Sequence, residues 1–107
     1  TIEAWLQRLG LKHLLQRPGG LDAPLALAKD PFSGGEIHRL GLLRAWLRNK
    51  AVEVLDEPTA FLDATAAEQV RAVIRERTQE RLILISTHDT DLLQQADQVI
   101  VLEAARG

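Results

Sequence analysis

Apolar residues recur at helical spacing along the first part of the chain. Ile2, Trp5, Leu6 and Leu9, then Leu11, Leu14 and Leu15, predict a helix over 1–17 that breaks near Gly10. Pro18-Gly19-Gly20 stops it, and 21–31, which carries two prolines, reads as an irregular connector. Ile37, Leu40, Leu43 and Leu47 predict a second helix that runs to about Arg48, with Arg39, Arg44 and Arg48 on its other faces. The pattern then changes. Val52–Leu55 and Leu82–Ile85 are short runs rich in aliphatics, as expected of strands in a parallel sheet covered on both faces. Between them, Ala66, Val70, Val73 and Ile74 mark the buried side of a helix from an Asp63 N-cap to about Arg77. A short helix over 90–96 and a third strand over 98–102 complete a strand–helix–strand–helix–strand alternation. That order predicts an α/β fold with a parallel sheet and flanking helices.

Both main strands end in polar residues. The stretch Val52–Asp63 reads VEVLDEPTAFLD, so the first strand stops at the adjacent carboxylates Asp56 and Glu57, and Pro58 prevents a central strand from continuing. Open α/β sheets place ligands at the carboxyl ends of their strands. Alternation along a strand turns two neighbouring acids in different directions, which suits them to two tasks, holding Mg²⁺ and orienting an attacking water. Taken alone, the same residues are a polar strand end with an acidic turn. The second strand ends in Ser86, Thr87, His88 and Asp89, where a lone histidine is ordinarily a loop residue. Ser33–Glu36, reading SGGE, has the ends of a helix capping box. Its middle is not explained that way, because each glycine in a first helical turn costs roughly 1 kcal/mol against alanine. Gly34 and Gly35 instead let a phosphate approach bare N–H groups at the positive end of the helix dipole.

Composition narrows the field. With 107 residues and 46% hydrophobic content the chain can bury one modest core. A net charge of −2 supplies no bulk basic field for nucleic acid. There is no cysteine for a disulfide scaffold, and no apolar run is long enough to cross a bilayer. The opening on Thr1 in mid-pattern and the absence of methionine fit a piece of a longer chain.

In their order and spacing these features resemble the second half of an ATP-binding-cassette (ABC) nucleotide-binding domain, exporter-like in its connector. Ser33–Glu36 is similar to the family signature, Val52–Glu57 to the Walker B strand, Phe61–Asp63 to the D-loop, and His88 to the switch histidine. The resemblance covers nearly the whole chain. It implies a partial P-loop NTPase (RecA-like) sheet, with 1–48 the C-terminal part of a helical subdomain and 49–107 the C-terminal half of the ATPase core. It implies ATP and Mg²⁺ as cofactors, Asp56 as metal-shell ligand, Glu57 as general base or water-orienting group, and His88 against the γ-phosphate. Ser33, Gly34, Gly35, Glu36 and Asp63 are then nucleotide-facing residues at the interface with a second nucleotide-binding domain in a head-to-tail dimer. A transmembrane domain, fused or separate, is the other implied partner, which puts the chain on the cytoplasmic face of the inner or plasma membrane.

Several positions depart from the family pattern. Phe32 replaces a leucine, Glu36 stands where importers carry glutamine, and Glu53 interrupts an apolar strand, so it needs an edge position or a cation such as Lys50 or an arginine. Glu103–Gly107 lacks the usual glycine turn and further strand. No G-x-x-x-x-G-K-[ST] loop occurs, so the 107 residues alone are expected to be inactive. The rival readings are the ATPase head of a DNA-repair or chromosome-maintenance protein, which carries long coiled-coil heptads before its signature, and a non-hydrolysing regulatory subunit.

Overall fold

The computed structural model describes residues 1–16 and 34–102. Helix α1 (Ile2–Arg8) starts at Thr1, whose hydroxyl accepts the Ala4 N–H at 3.2 Å. The expected break falls at Gly10, whose φ of 72° turns the chain into a 3₁₀ segment, Lys12–Gln16. A Cβ there would stand 3.1 Å from the flexible end of the Gln69 side chain, so it is the positive φ that calls for glycine. Helix α2 (Gly34–Leu47) begins on the two glycines, while Ser33, the connector 21–31 and Glu103–Gly107 lie outside the described residues. Strand β1 (Val52–Asp56), helix α3 (Ala64–Arg77), strand β2 (Leu82–Ser86) and helix α4 (Thr90–Gln95) follow. Asp63 caps α3 as the sequence predicts, accepting the Ala66 N–H at 2.8 Å.

β1 and β2 pair in parallel, in register from Val52↔Leu82 to Asp56↔Ser86. With α3 crossing between them they form one strand–helix–strand unit. The core collects on one face of this sheet. Leu55 packs with Leu6, Leu9, Leu11 and Leu14, with Leu42, Leu43 and Trp46 of α2, with Val70, Val73 and Ile74 of α3, and with Leu92 of α4, while Ile83 and Ile85 lie against the cluster.

Three expectations change. The sheet is covered on one face, not two: Val52, Val54, Leu82 and Leu84 are exposed on the other because no described element packs there. The expected third strand over 98–102 does not form. Among the described residues those positions gain no ladder partner, and Val99–Leu102 stays exposed. On α2 the buried positions are Leu42, Leu43 and Trp46, whereas Ile37 and Leu47 of the expected stripe are exposed. The bulk of Trp46 explains the rotation, since its indole is the largest fully buried side chain and stacks on Trp5 with ring centroids 5.6 Å apart.

Glu53 finds its cation. Arg77 donates Nε to Glu53 Oε1 at 2.8 Å and Nη2 to Glu53 Oε2 at 2.9 Å, a two-bond fork, and Nη2 also reaches the Trp46 carbonyl at 3.3 Å. The guanidinium carbon sits 6.0 Å from the Trp5 ring centroid and 5.9 Å from that of Trp46. Both charged side chains are buried. Arg77→Ala strands a buried carboxylate and is expected to destabilise the protein by about 3–5 kcal/mol in urea unfolding, while replacing both partners by apolar residues of similar volume recovers most of that loss. Equal losses in the single and double variants would show that the pair contributes by packing alone.

Candidate active site

The alternation that buries Glu53 and Leu55 turns Asp56 onto the open face, beside Ser86, whose hydroxyl donates to Asp56 Oδ1. The ladder then extends one step past the strands, with Glu57 N–H donating to the Ser86 carbonyl at 2.8 Å. Glu57 itself has left-handed backbone geometry, φ 49°, and its carbonyl accepts the Ala60 N–H at 3.1 Å, closing a turn over the buried Pro58. That conformation is uncommon outside glycine, asparagine and aspartate and is characteristic of functional turns. Phe61 repeats it, with φ 65° and a side chain that is 87% exposed.

His88 follows β2. Its Nε2 lies 3.7 Å from Glu57 Oε1, and its side chain is 98% exposed. The structure therefore brings Asp56, Glu57 and His88 together at the carboxyl ends of two paired strands. Among the described residues neither Asp56 nor Glu57 has a lysine or arginine partner. Asp56 and one hydroxyl make a sparse donor set, which fits a Mg²⁺ ion that keeps most of its water and takes further oxygens from phosphate. No cluster of three or more acidic, histidine or cysteine ligands occurs among the described residues.

Of the signature-like residues, Gly34, Gly35 and Glu36 are described, at the start of α2. A Cβ on Gly34 would meet nothing within 4 Å, so packing against this chain's described residues does not demand a glycine there. Glu36 pairs with His13 of the 3₁₀ segment. Arg39, one turn on, donates to the Leu9 carbonyl at 2.7 Å and the Gly35 carbonyl at 3.2 Å, tying α2 to the end of α1. An open cleft of about 370 Å³ between α2 and β1 is lined by His38, Gly41, Val54 and Asp56 among others.

Three residues that the sequence did not single out, His38, Thr59 and Arg71, shape the site together with Asp89. His38 Nε2 donates to the Pro58 carbonyl at 2.8 Å, which fixes the ring proton on that nitrogen and ties α2 to the turn after Glu57. Its ring also meets Phe61 edge-on at 6.4 Å. Thr59 Oγ1 donates to Asp89 Oδ2 at 2.7 Å, and Arg71 Nη1 to the same oxygen at 2.8 Å. Burial opposes the charge on Asp89, but the hydrogen bonds from Thr59, Arg71 and the Asp91 and Leu92 N–H groups prevail and hold its carboxyl below the usual value. Burial likewise opposes the charge on Arg71, and Asp89 and Glu68 outweigh it, so the guanidinium is held above its usual value. Only Asp89 had a signal in the sequence, as an acid just before a short helix. The partners of the other three come from different elements, which local spacing does not report.

No protein-family model matches the chain. Among curated proteins it is 38% identical over 98 residues to the glutathione/L-cysteine transport system ATP-binding/permease protein CydC of Escherichia coli (strain K12), covering 92% of this chain and 17% of that protein. It is 38% identical over 94 residues to the mycobactin import ATP-binding/permease protein IrtA of Mycolicibacterium smegmatis, covering 88% of the chain and 11% of the relative. The ABC transporter gloK of Glarea lozoyensis is 38% identical over 101 residues, 94% of the chain and 8% of that protein. The chain thus spans less than a fifth of the length of each of these relatives. By this similarity along about nine-tenths of its length, the chain belongs with the ATP-binding/permease proteins of ABC transporters, matching part of their sequence.

Proposed function

We propose that this chain supplies the signature, Walker B and switch-histidine part of the ATP-hydrolysing domain of an exporter-type ABC transporter. The observation that carries the reading is the meeting of Asp56, Glu57 and His88 at the ends of β1 and β2. Bound ATP with Mg²⁺ supplies the phosphoryl group and neutralises its charge. Asp56 would hold the cation. Glu57, which has no lysine or arginine partner among the described residues, would orient the attacking water or take its proton, a task worth typically 10²–10⁴-fold in rate. His88, projecting into solvent, would donate a hydrogen bond toward the terminal phosphate, where negative charge develops as the phosphoryl group is transferred. Ser33, Gly34, Gly35, Glu36 and Asp63 face the nucleotide of a second nucleotide-binding domain, packed head to tail, so that each site is completed across the dimer. Residues 1–48 act as the end of the helical subdomain and 49–107 as the end of the P-loop core. A transmembrane partner domain holds the assembly at the cytoplasmic face of the membrane and carries the cargo; no described helix is long and apolar enough to cross a bilayer. The relatives' names range from glutathione and L-cysteine transport to mycobactin import, so similarity in this segment does not select a cargo or a direction.

In a full-length transporter carrying this segment, Glu57→Gln is expected to retain ATP binding and to slow hydrolysis by roughly a hundredfold or more. His88→Ala is expected to cut turnover with little change in nucleotide affinity. Wild-type hydrolysis by Glu57→Gln, measured as phosphate release, would sink the assignment.

Expressed alone, the 107 residues lack a loop to cradle the α- and β-phosphates, and they leave Val52, Val54, Leu82 and Leu84 uncovered. Weak binding of a fluorescent ATP analogue, no turnover and a tendency to associate are the expected results. Tight binding with turnover from a clean monomer would mean that a complete site resides in these residues.

A further inference from the structure

We propose that Thr59 and Asp89 form a clasp that sets the spacing between Glu57 and His88, making both of them positioning residues for hydrolysis. The inference rests on the reading of Glu57 and His88 as the hydrolytic pair. Beyond Asp56↔Ser86, the last backbone rung between the two strand ends is Glu57 N–H to the Ser86 carbonyl. The next link between the two loops is the Thr59 hydroxyl, two residues past Glu57, donating to the carboxylate one residue past His88 at 2.7 Å. Glu57 and His88 therefore lie between a backbone rung and a side-chain bond.

Helix capping does not account for this contact. Asp89 caps α4 with Oδ1 alone, which accepts the Asp91 N–H at 2.9 Å and the Leu92 N–H at 3.4 Å. Oδ2 is directed to Thr59 and to Arg71, at 2.7 and 2.8 Å. Arg71 is steadied in turn by Glu68 at 3.0 Å and Asp91 at 3.6 Å, so the carboxylate is anchored to α3 as well as to α4. Asp89 N–H donates to Thr87 Oγ1 at 2.9 Å, which folds the His88 backbone into a tight loop. Among the described residues the exposed imidazole itself has only Glu57, at 3.7 Å, for a neighbouring charge. Its position is thus inherited from the backbone on either side, and the clasp is what refers that backbone to the turn bearing Glu57.

The test uses a full-length transporter that carries this segment, with single-turnover ATP hydrolysis, ATP affinity and thermal midpoint measured for Thr59→Val and Thr59→Ser in wild-type and His88→Ala backgrounds. Thr59→Val removes the hydroxyl and keeps the branched shape. It is expected to slow hydrolysis roughly ten- to a hundredfold at unchanged ATP affinity, the scale of a small misplacement of reacting groups. Thr59→Ser is expected to restore the rate, and Thr59→Val to cost nothing further once His88 is gone. A valine variant at the wild-type rate overturns the clasp. So does an equal loss in both backgrounds accompanied by a lowered thermal midpoint, which would mark a purely structural contact. If the valine variant does not fold, Thr59→Ala carries the same expectations. Full activity in Glu57→Gln and His88→Ala would instead overturn the assignment of the hydrolytic pair, an outcome separable from impaired Glu57 and His88 variants beside a silent Thr59→Val.

Discussion

Glu53 is a carboxylate on the covered side of a strand, and the surrounding elements converge to meet its charge. Arg77 arrives from the last turn of α3 with two parallel hydrogen bonds. Trp46 lends its carbonyl from α2, and the stacked pair of Trp5 and Trp46 lies close to the guanidinium. One ion pair thereby joins α1, α2, β1 and α3. A buried pair of this kind adds little net stability compared with apolar residues of the same volume, but losing either half alone is costly. Its effect is to make the neighbouring elements arrive together in one arrangement.

That arrangement fixes the site through the period of the strand. Side chains of β1 alternate, so anchoring Glu53 inward also sends Leu55 inward and Val54 and Asp56 outward. A slip of one residue would bury Asp56 and expose Glu53. The carboxylate at the strand end owes its exposure on the open face to a charge pair three residues earlier. The parallel register with β2 then places Ser86 opposite Asp56, and the two loops that follow carry Glu57 and His88 to within 3.7 Å.

Much of this was legible in the sequence, and what was not has identifiable causes. The Gly10 break, the Asp63 cap and the apolar face of α3 are local signals, and each appears where the spacing puts it. Asp56, Glu57 and His88 were visible as candidates because each lies at or within two residues of the end of a strand-like run, and parallel pairing brings such ends together. The face of α2 was misjudged because Leu40 and Leu43 suit several rotations of the helix, and the stacking of Trp46 on Trp5 selects one of them. The third strand was read from composition, yet a strand exists only with a ladder partner, and residues 98–102 have none among the described residues. Glu53 was recognised as needing a cation, while Arg77, 24 positions away, is reached only through the tertiary fold. His38, Thr59 and Arg71 were missed for the same reason.

The acidic residues divide by how their charge is met. Glu53 is enclosed with Arg77, and Asp89 is held by Arg71, Thr59 and two backbone N–H groups. These carboxylates are occupied, and their role is to fix positions. Asp56 and Glu57 sit only a few residues from Glu53 on the same stretch of chain, yet among the described residues neither is offered an arginine or a lysine. Among the described residues, the arginines meet the structural acids, while the two acids at the strand end have only Ser86 and His88 beside them. A pair of carboxylates with no fixed arginine or lysine among the described residues repels a bare phosphate and attracts a cation. The site is therefore suited to a phosphate that arrives with its metal ion already bound. Under the proposed function, that is the chemical reason a triphosphate with Mg²⁺, in preference to a free anion, would fit the carboxyl ends of β1 and β2.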